Sequence, residues 1–169
     1  MPARAIIEHL KRDLEAAYQG SRWHSLKSAL KGIQPEEALW VPPAYKGFPW
    51  MKGSILEIVF HVGGDSFYQL DYALGQRKLT WEDLQVRFHS EGGNLAAALE
   101  LAEEGYQALQ QTLDSLRDEE LARTYPTPEG KGERTLEDFF RMMIEHHFYH
   151  AGQIMYVRCL WAGRQEQAE

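Results

Sequence analysis

The sequence predicts an all-α protein, a four-helix bundle, on three observations. Apolar residues recur every three or four positions through four long stretches. Each stretch opens or closes on residues that cap helices. The connections carry the prolines and glycines, and no segment alternates convincingly enough to be a strand. With 169 residues, 44% hydrophobic and 25% charged, the chain can bury one sizeable core, so a single domain over 1–169 is expected.

The first helix is expected over 3–19, where Ile6, Ile7, Leu10, Leu14, Ala17 and Tyr18 share helical spacing. Gly20-Ser21 marks a kink or break, Leu26 and Leu30 continue the pattern to Lys31, and Gly32 and Pro35 end it. Residues 41–53 set Tyr45, Phe48 and Trp50 among three prolines and two glycines, which reads as an ordered loop whose rings want burial. Ser54-Ile55-Leu56-Glu57 is a capping box opening a helix to about Leu74, ended by Gly75. Within it Gly63-Gly64 fits close helix packing. A short piece follows from Thr80 to Phe88. Gly92-Gly93-Asn94 then starts a helix with Leu95, Leu99, Ala102, Tyr106, Leu109, Leu113 and Leu116 on one stripe. Pro126, Pro128, Gly130 and Gly132 mark the last long loop. The final helix runs from Thr135, an N-cap with Asp138 three residues on, through Trp161 to a C-cap at Gly163.

Bulk properties exclude several functions. A net charge of −7 with dispersed lysine and arginine argues against a nucleic-acid surface. Cys159 is the lone cysteine, so neither an intrachain disulfide nor a cysteine-based zinc site is available. No segment reaches transmembrane length, and the N-terminus is charged at Arg4, Glu8, Lys11 and Arg12, so a cytoplasmic protein without membrane contact is expected.

The chemistry concentrates in Glu145-His146-His147-Phe148-Tyr149-His150-Ala151-Gly152-Gln153, which holds three of the seven histidines. His146 and His150, four residues apart, lie about 40° apart in arc and about 6 Å in rise, so both imidazoles reach one point. Two ligands are too few for a useful metal site. His9, His24 and His89 read as exposed. His61 is different: Glu57, His61, Asp65, Tyr68 and Tyr72 form a polar and aromatic stripe along the apolar face of the second long helix. A carboxylate one turn to either side of His61 can orient its ring or ligate. On the last helix, periodicity makes His147 and His150 the more buried pair, whereas His146, His150 and Gln153 share an edge strip about 60° wide. The helical wheel leaves that choice open. A zincin motif is absent because no glutamate follows His146, and a di-iron bundle is absent because neither Glu57 nor Glu145 has a histidine three residues on.

Ser-Ile-Leu-Glu-Ile-Val-Phe-His (54–61) followed by His-His-Phe-Tyr-His-Ala-Gly-Gln-Ile (146–154) resembles the DinB family, of the DinB/YfiT type, over nearly the whole chain. The resemblance implies an up-down-down-up four-helix bundle, often a homodimer. It also implies a divalent metal, zinc or nickel, on His61, His146 and His150, with Gly152-Gln153 at the signature position and Gln153 as the cofactor-contacting residue. Relatives of this type include transferases and isomerases that use low-molecular-weight thiols.

Two classes of function follow. In the first, an enzyme acting on a small-molecule substrate, the metal lowers the pKa of a bound thiol or water and so makes a nucleophile at neutral pH; Glu57 and Asp65 are the candidate catalytic carboxylates. The residues themselves do not choose between thiol transferase and hydrolase, and the resemblance favours thiol transfer. In the second, the bundle is not catalytic and its metal is structural, closed by a fourth ligand such as Asp65 or Glu57.

Overall fold

The computed structural model describes residues 4–20, 24–43, 52–128, 130 and 132–166. Among these, the helices are α1 (Ala5–Glu15), α2 (Leu26–Ala29), α3 (Pro35–Leu39), α4 (Ile55–Leu74), α5 (Trp81–Ser90), α6 (Leu95–Ser115) and α7 (Leu136–Glu166). The protein is mostly helical. The long helices pack pairwise, α4 on α6 and α7, and α1 on α6 and α7. Their buried faces, including Ile7, Leu10, Leu14, Ile58, Val62, Leu109, Phe140 and Ile154, form one hydrophobic cluster.

Local chemistry explains most boundaries. Ser54 Oγ accepts the Glu57 amide while Glu57 reaches back to the Ser54 amide, so the α4 capping box forms as read. Asn94 accepts from the Ala97 amide and starts α6. Thr80 and Asp83 cap α5 reciprocally, and Thr135 Oγ1 accepts from the Asp138 amide at 3.0 Å at the head of α7.

Four features depart from expectation. The first helix widens into a π turn at Ala16–Gly20, which turns Tyr18 into the core to stack on Tyr106 with ring centroids 4.2 Å apart. Pro35 opens α3 rather than only ending what precedes it, because proline at the first helical position gives up an amide that has no partner there. Thr124–Pro126 and Glu133–Thr135 pair as a short antiparallel hairpin, β1 and β2, where no strand was expected. Three residues per strand are too few to display alternation. Finally, α7 continues through Gly163, which does not take the left-handed conformation of a C-cap. The aromatic loop residues Tyr45, Phe48 and Trp50 lie outside the described residues.

The two adjacent glycines of α4 have different neighbours. A Cβ at Gly63 would stand 2.7 Å from the backbone of Leu101 and Ala102 on α6, and one at Gly105 would stand 2.8 Å from Ser66 Cβ. Those two glycines let α4 and α6 touch backbone to backbone. Gly64 instead faces the indole of Trp81.

Candidate metal centre

α4 buries Ile55, Ile58, Val59 and Val62, which leaves His61 and Asp65 at the margin of that apolar face, each 8% exposed. α7 buries Met143, Ile144, His147, Ala151 and Ile154, which brings His146 and His150 to the matching margin. The two margins meet. His146 Nε2 lies 3.1 Å from His61 Nε2 and 3.0 Å from His150 Nε2. Among the described residues, His61, His146 and His150 form the one group of three ligand-type side chains whose donor atoms all lie within 4.8 Å of one another.

That spacing suits a divalent ion. Nitrogen donors about 2.0–2.1 Å from a tetrahedral zinc stand about 3.3 Å from each other, close to the two separations here. The protonation state suits it as well. Burial lowers the His61 pKa from 6.5 to about 4. Burial and then the neighbouring His150 and His61 lower that of His146 to about 2. For His150, burial and then His61 lower it to about 3, against the opposing pull of Gln153. All three rings are therefore neutral at neutral pH, the state in which imidazole ligates. The cluster is compatible with metal binding.

The surrounding groups orient the rings. His150 Nδ1 donates to Gln153 Oε1 at 2.7 Å, which keeps the proton on Nδ1 and leaves the Nε2 lone pair for the cluster. Gln153 Nε2 in turn donates to the Tyr149 hydroxyl at 2.9 Å. Asp65 Oδ2 stands 3.6 Å from His146 Nε2, and Asp65 Oδ1 accepts from Gln69 Nε2 at 3.3 Å. Glu57 is not brought to the imidazoles: its Oε2 accepts from the amides of Lys52 and Ser54 and from Ser54 Oγ.

Of the two neighbours that the helical wheel left open, His146 joins the cluster and His147 lies in the core. His147 is fully buried, with Nδ1 donating to the Met143 carbonyl at 2.6 Å and its ring edge-on to Tyr18 at 5.7 Å. Periodicity correctly places it deepest, but depth takes it away from the α4 margin. His9, His24 and His89 are exposed. One neighbour went unforeseen. Trp81, at the head of α5, stacks on the His61 ring with centroids 5.5 Å apart and planes 17° apart, and no sequence spacing ties a residue beyond a loop to a ring on α4.

The family model of the DinB superfamily matches residues 20–154. The chain belongs to the DinB superfamily. The matched span contains all three clustered histidines and Gln153, so in this DinB protein the site lies within the family region, while α1 precedes it. Among curated proteins, none matches the chain.

Proposed function

We propose that this DinB protein is a metal-dependent enzyme. His61, His146 and His150 hold a divalent ion, zinc or nickel, and the reaction transfers a low-molecular-weight thiol to a small-molecule electrophile. The observation that carries the reading is the convergence of three neutral imidazoles, two of their Nε2 pairs at 3.0 and 3.1 Å, from helices far apart in sequence. A divalent ion on neutral ligands keeps its full charge and supplies Lewis acidity that lowers the pKa of a thiol or water. The chain supplies the rest. Gln153 holds the His150 tautomer, and Asp65 places a carboxylate at the edge of the cluster where it can accept a proton. The supporting frame we propose is one up-down-down-up four-helix domain over 1–169.

Asp65 also favours a second reading on the same residues, a hydrolase in which that carboxylate takes a proton from water. One experiment separates the two. Purified protein is expected to carry about one zinc or nickel per chain, and His61→Ala to lose it. An electrophile is expected to be consumed only when a small thiol is added, and not after chelation. Equal turnover of an ester or electrophile without thiol would select the hydrolase; no turnover with either, in metal-loaded protein, would leave a structural metal. We further propose a cytoplasmic homodimer, and a strictly monomeric mass by light scattering at micromolar concentration would exclude the dimer.

A further inference from the structure

His146 and His150 share a helix, and Gln153 fixes the His150 ring. His61 comes alone from α4. The face of its imidazole lies against the Trp81 indole, with centroids 5.5 Å apart and planes 17° apart. The indole is itself held on three sides. Tyr68 stacks on it at 5.8 Å, Phe60 meets it edge-on at 6.3 Å, and Gly64 lies beneath it. A Cβ at Gly64 would stand 2.9 Å from Trp81 Cζ3 and 3.5 Å from both Trp81 Cη2 and Leu84 Cδ1, so an alanine there could not coexist with the indole in this position. Phe60, His61, Gly64 and Tyr68 thus form a seat on α4 into which one side chain of α5 fits.

The seat is addressed from the other side too. Thr80 Oγ1 accepts from the Asp83 amide at 3.1 Å, and Asp83 Oδ2 accepts from the Thr80 amide at 2.9 Å. This fixes the first turn of α5, where Trp81 is the first residue. Just upstream, the amides of Lys78 and Leu79 donate to Asp71 Oδ2 at 2.7 and 2.9 Å, which ties the connecting loop back to α4.

We propose that Trp81 is a positioning residue for the metal ligand His61, and that Gly64 is glycine in order to admit the indole; this rests on the metal-centre reading above. A flat ring packed parallel to an imidazole opposes rotation about the Cβ–Cγ bond, the motion that would swing Nε2 out of the cluster. Restricting it lowers the ordering cost of ligation, as a hydrogen bond to Nδ1 does for other ligand histidines.

The test measures zinc affinity by chelator competition, the visible spectrum of the cobalt-substituted protein, and the His61 ring-proton shifts by NMR in chelator-treated protein. Trp81→Leu is expected to weaken zinc binding about tenfold or more, as loss of a group supporting a ligand does. It should also alter the cobalt spectrum and abolish the ring-current shift on His61, with helix content unchanged by circular dichroism. Trp81→Phe should recover most of the affinity. Gly64→Ala should weaken binding in the wild-type background and do little in the Trp81→Leu background, since the added methyl then meets no indole. Wild-type affinity and cobalt spectrum in Trp81→Leu would overturn the proposal and leave the metal centre standing. A wild-type protein that binds neither zinc nor cobalt would overturn the metal centre, and the proposal with it.

Discussion

Gln153 decides which nitrogen of His150 carries the proton, because its Oε1 sits 2.7 Å from Nδ1. Gln153→Leu is therefore expected to keep the fold while weakening zinc affinity roughly tenfold to a hundredfold, and Gln153→Glu to bind at least as well as wild type; competition with a chelator measures both. His147 makes the complementary case. Buried and bonded to the Met143 carbonyl, it belongs to the core. His147→Gln should retain metal and lower the urea midpoint, whereas His146→Gln should lose metal. The reverse pair of results would move the ligand to His147. Helical periodicity alone could not separate these neighbours, because a wheel drawn without a partner helix does not say which margin of the apolar face meets α4.

At the scale of elements, glycines let α4 approach α6 closely enough for backbone to meet backbone. Gly63→Ala would push a methyl into the α6 backbone, so it should destabilise the protein by about 1–3 kcal/mol and reduce metal affinity by shifting α4 under His61. Equilibrium urea unfolding reads the first effect, and an unchanged midpoint would contradict the close approach. The connection after α4 rests on Asp71, whose carboxylate accepts the amides of Gln76, Lys78 and Leu79 and is held below the usual range mainly by the Leu79 amide. The long helices were legible because period and caps agreed along many residues. The π turn, α3 and the strands of the hairpin were not, since each is five residues or fewer and takes its shape from what it packs against. Gly163 misled for a related reason: glycine permits a left-handed cap but does not compel one.

Across the whole molecule, four histidines are neutral through burial: His61 and His147 fall to about 4, His150 to about 3 and His146 to about 2. Each lowered value means that the unfolded chain binds protons the folded chain refuses. Stability is then fully present above about pH 6.5, the ordinary histidine value, and falls as the pH drops toward 4. In chelator-treated protein the urea midpoint should decline between pH 7.5 and 5, before carboxylates titrate. A flat midpoint over that range would mean the rings are hydrated in solution. The three clustered histidines were legible from spacing together with family resemblance. The carboxylates were legible only in part: Asp65 reaches the cluster, while Glu57 closes the helix cap that its own motif announced. Trp81 was invisible, because its relation to His61 exists only once α5 has folded back on α4.

The last helix is pinned at two places. Thr135 holds its start, and Arg158 binds Glu37 and the carbonyls of Ala29 and Lys31 some 35 Å further along the axis. His146 and His150 lie between the pins. For the lineage that carries this protein, the two sides of Thr135 are expected to evolve under different rules. Upstream, a change of length between β1 and β2 ends at the cap and leaves the register of the last helix unchanged. Downstream, one inserted residue between Gln153 and Arg158 turns the anchor by about 100° relative to the histidines, and either the grip on Glu37 or the register of the site is lost. Length variation among descendants of this sequence should therefore gather at the hairpin tip and be nearly absent from 136–158.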